Sequence, residues 1–158
     1  MTTKQKQPRL PPISEADIQA QVVEVLAMLG VTVERQNTGV GSYPNADGTQ
    51  RRVRFGRPGN LDLSGMLSDG RKLEIEVKRP PHRDARGRLV TSRPKPEQYE
   101  RMNKINESGG IAFWLWDPSI LFVMVPKLRA GCRVYIDRSG DVVLTDEPVD
   151  LEIEGWMP

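Results

Sequence analysis

In LEIEVK (Leu73–Lys78) apolar and charged residues alternate, so Glu74, Glu76 and Lys78 fall on one face of a strand and Leu73, Ile75 and Val77 on the other. An amphipathic strand with a solvated charged face has the same pattern. Asp62 sharpens the reading. It stands in PGNLDLSG, at the start of the preceding apolar segment Leu61–Leu67. The turn Ser68–Gly70 folds that segment back on Arg71–Lys78 as a β-hairpin, which sets Asp62 across from the Glu76–Lys78 end. Two carboxylates at that range raise each other's proton affinity unless a divalent cation neutralises both. Magnesium suits such a pair, because it keeps several waters and takes one or two protein carboxylates plus a substrate phosphate. Lys78, on the same face as Glu76, could orient or deprotonate a metal-bound water, or steady the charge on a pentavalent phosphate.

Two helices must bring up the remaining polar groups. Ser14, with Asp17 three residues on, forms a capping-box pattern, and Ile18, Val22, Val25, Leu26 and Leu29 make an apolar stripe ended by Gly30. Glu15 precedes Ile18 and Val22 by three and seven positions and so shares that stripe, although an acid in a first turn is also favoured by the helix dipole. Pro96 opens a second helix through about Glu107, closed by Ser108–Gly110. Gln98 leads Met102 and Ile105 by four and seven positions, which puts an amide on the inward face to position water or phosphate; capping is the plainer role.

Between and beyond the helices, strands are predicted at Val31–Gln36, Arg51–Phe55 and Ile111–Trp116, with a loop over 37–50. The near-continuous apolar run IAFWLW suggests burial on both sheet faces, and the order strand, helix, strand predicts a parallel crossover. Further strands are expected at Ile120–Val125, Arg133–Ile136 and Asp141–Leu144, the first two separated by a turn or short helix near Pro126–Ala130.

At 158 residues, 37% hydrophobic and 28% charged, the chain is sized and composed for one globular domain. No apolar run reaches the roughly 18 residues of a membrane span, and MTTKQKQPRLPP has no apolar segment to serve as a secretory signal. The single cysteine, Cys132, makes no internal disulfide, so a cytosolic setting is expected and thiolate zinc sites are excluded. His82 is also alone, which excludes multi-histidine metal sites and leaves carboxylates as the ligands for any metal. His82 is expected at the surface or on phosphate, Cys132 in the core, and Trp114 and Trp116 in the core or a subunit interface.

The net charge of +2 hides two poles. Residues 79–96 carry +5 from Arg79, Arg83, Arg86, Arg88, Arg93 and Lys95 against Asp84, and Arg51, Arg52, Arg54 and Arg57 form a second basic cluster. Residues 137–158 carry −6. Such arginine clusters are either solvated loops or the footprint of a phosphate-backbone partner.

An acid-bearing helix, the loop NTG (Asn37–Gly39), GNLD, EIEVK, a glutamine-bearing helix and an apolar strand, in that order, resemble the PD-(D/E)xK nuclease superfamily. The closest pattern is its VRR-NUC family, which is similar to Holliday-junction resolvases and frequent in phages and bacteria. The resemblance spans roughly Ser14–Trp116. It implies an α/β fold with a restriction-endonuclease-like core over 13–125, a mixed central sheet with flanking helices in α-β-β-β-α-β order. A flexible basic tail, 1–12, precedes it. Extra C-terminal strands and an acidic tail, 126–158, complete the same domain. It also implies catalytic roles for Asp62, Glu76, Lys78, Glu15 and Gln98, with Mg²⁺, or Mn²⁺ in its place, held by Asp62, Glu76, the Val77 carbonyl and Glu15. The implied activity is phosphodiester hydrolysis in DNA with little base specificity, leaving 5′-phosphate and 3′-hydroxyl ends and selecting branched or four-way junctions. Arg51, Arg52, Arg54, Arg57, Arg79, Arg83, Arg86, Arg88, Arg93 and Lys95 would then hold the DNA backbone, in the cytoplasm of a bacterial or phage-infected cell and with no membrane partner. Symmetric junction cutting calls for a homodimer. A nicking or restriction-like endonuclease, or a non-cleaving DNA-binding protein of this fold, fits the same motifs. Leu61 stands where the family often has proline, with the Pro58–Gly59 turn nearby, and the excursion Gly41–Gly56 exceeds a minimal resolvase core.

Overall fold

Ser14 starts the first helix by a reciprocal cap: its hydroxyl accepts from the Asp17 amide at 3.1 Å, and the Asp17 carboxylate accepts from the Ser14 amide at 3.0 Å. Helix α1 (Glu15–Met28) follows, with Ile18, Val22 and Leu26 buried along one side. Full burial of Val22 and of Leu26 stabilises the fold by about 1.5–3 kcal/mol each. The computed structural model describes residues 12–36 and 39–145. After α1 come strands β1 (Val33–Arg35), β2 (Gly39–Pro44), β3 (Gln50–Phe55), β4 (Leu63–Met66), β5 (Lys72–Val77), β6 (His82–Arg83) and β7 (Leu89–Val90). They are followed by helix α2 (Pro96–Glu107), strand β8 (Ile111–Leu115), a 3₁₀ turn (Pro118–Ile120), helix α3 (Leu121–Arg129) and strands β9 (Val134–Ile136) and β10 (Val142–Leu144).

The central sheet has the order β1-β4-β5-β8; its first two pairings are antiparallel and β5–β8 is parallel. The expected hairpin joins β4 to β5. Leu67 donates its amide to the Arg71 carbonyl at 2.9 Å, and Gly70 takes a left-handed φ of 89° that only glycine adopts without strain. The register sets Leu63 against Ile75, so Asp62 lies one step beyond, opposite Glu76. A parallel neighbour requires a crossover, and α2 supplies it between β5 and β8.

Because side chains alternate along β5 and β8, Leu73, Ile75, Val77 and Phe113 form one face with α1 and α3. Glu74, Glu76, Ala112 and Trp114 form the other, on the side where Met102, Tyr99 and Ile105 of α2 pack. Both faces are covered. The solvated face open to the LEIEVK strand is therefore excluded: Glu74 is 2% exposed, Glu76 1% and Lys78 7%.

Two expectations are corrected. Ile120–Val125 is not a strand. Asp117 accepts from the Ser119 amide at 2.9 Å, Pro118 opens the 3₁₀ turn, and α3 runs through Pro126 with Leu121, Met124, Val125 and Leu128 buried at helical spacing. A six-residue apolar run fits either period, and the Asp-Pro start decides for helix. Arg71 donates to the Leu128 carbonyl and, at 3.2 Å, to the Cys132 carbonyl, satisfying acceptors at and just past the end of α3. Nor is 37–50 wholly loop. Gly39–Pro44 pairs with Gln50–Phe55 over six positions as a separate two-stranded ribbon. The arginine-rich segment likewise contains the short β6–β7 pair, turned around Asp84.

The C-terminal strands β9 and β10 pair with each other, and Val134, Val142 and Leu144 join the main core. Cys132 is buried, and Trp114 is half-buried with its indole N–H donating to the Gly140 carbonyl at 2.8 Å. Among the described residues no helix is long and apolar enough to cross a membrane. The expected basic tail up to residue 11, the NTG residues Asn37 and Thr38, and the acidic residues 146–158 lie outside the described residues.

Candidate active site

The C-terminal end of β5 is a junction of three elements. Just before β4 comes Asp62, whose carboxylate Oδ2 accepts the Val77 amide at 2.8 Å; Gln36, just after β1, donates its backbone amide to the Asp62 carbonyl at 2.7 Å. From β5 come Glu76 and Lys78, with the Lys78 ammonium 2.5 Å from Glu76 Oε1. From α2 comes Gln98, whose side-chain N–H₂ donates to the same Oε1 at 2.6 Å. Its carbonyl oxygen accepts the Lys95 amide at 2.8 Å, so Gln98 both caps its helix and reaches the carboxylate. The capping role is thus observed, and the other end of the amide is spent on the Glu76 carboxylate.

Glu76 Oε2 is buried and has no hydrogen-bond partner. Burial first, then the Asp62 carboxylate, push the Glu76 carboxyl up to about 7 against the opposing pull of Lys78 and Gln98. Glu15, at the start of α1, is half-buried and feels the same groups. Burial raises its proton affinity more than Lys78 lowers it, and Asp62 adds to the rise. Glu15, Asp62, Glu76, Lys78 and Gln98 thus converge from four separate elements.

A buried orphan oxygen beside a second carboxylate is what a divalent cation would relieve, and two carboxylates are enough for Mg²⁺ when phosphate and water complete its shell. Among the described residues, no three His, Cys, Asp or Glu side chains form a ready-made metal group.

One strand position back, Glu74 is held quite differently. Arg101 meets it with two hydrogen bonds, 2.6 and 2.7 Å, and Lys72 lies at 2.7 Å. Burial raises its proton affinity, yet these three contacts overcome that and hold it below the usual carboxylate range. Arg101 and Lys72 were not singled out from sequence. The signal was there: Arg101 lies three residues after Gln98, on the same helical face.

The basic residues divide into two groups. Arg51, Arg52, Arg54 and Arg57 form no ion pair among the described residues, and Arg54 and Arg57 join Lys95, Gln98 and Glu97 around a cavity of about 260 Å³. By contrast, Arg93 donates to the Ser139 carbonyl at 2.6 Å and to Asp141 at 2.9 Å, with its guanidinium 5.5 Å from the Trp114 ring centre. Arg88 pairs with Asp84 at 2.8 Å, Arg83 donates to the Gly87 carbonyl at 2.8 Å, and Arg79 reaches the Ile13 carbonyl at 3.3 Å. Arg86 gives its backbone amide to Asp84, and His82 Nδ1 lies 3.1 Å from the Pro80 carbonyl. Compared with known proteins, the chain matches no family model and no curated sequence.

Proposed function

We propose that this chain is a divalent-metal-dependent DNA endonuclease with a restriction-endonuclease-like core, related to the VRR-NUC branch of the PD-(D/E)xK nucleases and selective for branched DNA. The observation that carries the reading is the buried, partnerless Glu76 oxygen beside Asp62, with Lys78 and Gln98 on the opposite oxygen. Its support in the fold is the chain order α1-β1-β4-β5-α2-β8 of the central sheet and its helices, which matches the α-β-β-β-α-β order that the resemblance implies.

Asp62, Glu76 and the Val77 carbonyl would hold Mg²⁺ or Mn²⁺, with Glu15 joining directly or through water. When bound, such a cation polarises the phosphate and lowers the pKa of its water. The chain's own groups do the rest. Asp62 is fixed for its task by the Val77 amide, which leaves its other oxygen for the ligand. Lys78 provides a positive charge at the Glu76 carboxylate, where it steadies charge building on the phosphoryl oxygens. Gln98 orients Glu76 and is itself oriented by the Lys95 amide. Arg54, Arg57 and Lys95 hold neighbouring backbone phosphates without reading bases.

The test is cleavage of a labelled four-way junction, a flap and a linear duplex in Mg²⁺ or Mn²⁺, with Glu76→Ala and Lys78→Ala proteins alongside. Paired symmetric cuts in the junction, lost in both variants, are expected and would also require a homodimer. Cuts elsewhere keep the chemistry and change the substrate. Wild-type protein that binds all three DNAs and cuts none with either metal sinks the enzyme reading.

A further inference from the structure

The β2–β3 ribbon contributes no side chain to either hydrophobic core cluster, and nearly all its residues are exposed. Free two-stranded ribbons are marginal in water, so this one needs its own supports. Tyr43 and Phe55 meet edge to face at 5.9 Å across Gly41, where a Cβ would come within 2.8 Å of both rings. On the opposite face Ser42 donates to Gln50 at 2.9 Å, and at the tip Asp47 accepts from Thr49.

The pairing sorts the residues by face. Val53, Phe55, Tyr43 and Arg51 share the aromatic side, whereas Arg52 and Arg54 share the other with Ser42 and Val40. Neither Arg52 nor Arg54 has a carboxylate partner among the described residues, and the ribbon's one acid, Asp47, is turned to its own loop. Six paired positions span about 20 Å. At the ribbon's base, Arg54 borders the cavity shared with Lys95 and Gln98, and Gln98 touches Glu76. The Gly59 turn beside it packs closely on the first turn of α2, since a Cβ at Gly59 would sit 2.8 Å from the Glu97 carbonyl. The arm therefore starts from a fixed point next to the candidate centre.

From this geometry we infer that the ribbon is a duplex-recognising arm that enters the major groove of B-form DNA, with Arg52 and Arg54, which share one face, on backbone phosphates along one side of the groove. The inference rests on the nuclease reading and adds to it the form of the substrate. A B-form major groove, about 12 Å wide, admits a two-stranded ribbon. The A-form groove of duplex RNA is too deep and narrow, and a single strand offers no groove. The arm should thus make the protein prefer duplex DNA over duplex RNA of equal charge density.

Fluorescence anisotropy in EDTA, where nothing is cut, tests this with a 20-base-pair DNA duplex, the RNA duplex of the same sequence and one DNA strand. Wild-type protein should bind the DNA duplex at least tenfold tighter than the RNA duplex. Replacing residues 40–54 by a two-residue glycine-serine link between Gly39 and Phe55, which face each other across the pair, should erase that preference. The Arg52→Ala/Arg54→Ala protein, whose fold does not depend on a new connection, should lower the slope of log affinity against log salt by about two. Equal wild-type affinity for the two duplexes, or an undiminished preference and slope in both variants, overturns the arm. Metal-dependent junction cutting in that case leaves the nuclease standing. Arm-dependent duplex binding without any cutting supports the arm and removes the chemistry.

Discussion

Glu74 and Glu76 occupy one face of β5, two residues apart and equally buried, yet their environments oppose each other. Glu74 has both oxygens matched by the Arg101 fork and Lys72, and its proton affinity is lowered. Glu76 has two donors crowded on one oxygen, none on the other and a second carboxylate alongside, and its proton affinity is raised. Burying a carboxylate is costly in either place. At Glu74 the cost is offset within the fold. At Glu76 it is left open, and that imbalance is what the proposed metal site rests on.

The comparison can be broken most decisively by activity. Glu76→Gln should lower DNA cleavage by about a thousandfold or more, the scale of losing an electrostatic group at a reacting centre. Glu74→Gln should change initial rates by less than about tenfold, and equal losses in the two variants would erase the distinction. Stability should show the reverse. Arg101→Ala leaves Glu74 with Lys72 alone and should cost roughly 3 kcal/mol in urea unfolding, the low end for a broken buried pair because Lys72 remains and Arg101 is itself one-third exposed. Gln98→Ala removes both a hydrogen bond to a carboxylate that is already poorly satisfied and the cap on the Lys95 amide, and should cost about 2 kcal/mol.

A smaller effect comes from metal. Mg²⁺ at tenfold its Kd should stabilise the wild type by about 1.4 kcal/mol, and thermal melting should show this gain in Glu74→Gln but not in Glu76→Gln. The last effect, spread over several pH units rather than read in one variant, is with pH in EDTA. Glu76 binds its proton more tightly in the folded chain, so its contribution is complete below about 4.5 and is lost as pH rises through about 7. Glu74 runs the other way: its contribution is present above about 4.5 and is lost as pH falls through its lowered folded value. Urea midpoints against pH should therefore flatten above 4.5 in Glu76→Gln and on the acid side in Glu74→Gln. Flattening in the opposite windows would reverse the assignment.

Much of the β5 end was legible because it is local. The Ser68–Gly70 turn fixes the hairpin register, and register alone carries Asp62 to Glu76. Gln98 was readable from helical spacing and Glu15 from the capped start of α1. The covering of the charged face was not, because alternation describes a strand and says nothing of what packs on it; α2 crosses above β5 and supplies Arg101. Ribbon strand β2 was missed for a related reason. Gly39–Pro44 has no apolar periodicity because neither of its faces joins the core, and only the partner strand reveals it. Ile120–Val125 failed through ambiguity of period, with the Asp117–Pro118 start undervalued.

The chain positions of the site's parts also set an order in time. Asp62 and the Val77 amide are 15 residues apart and meet through a tight hairpin, whereas Gln98 is 22 residues from Glu76 and must wait for α2 to cross the sheet. Glu15 comes from the start of the chain, far from both in sequence. Since closing longer loops costs more entropy and slows folding, the carboxylate pair should form in the hairpin while still hydrated, before α1 and α2 close over it. The repulsion between Asp62 and Glu76 is then not an obstacle to nucleation. It becomes costly only in the last steps, when water leaves, so a cation present during refolding should act late, slowing unfolding more than it speeds folding.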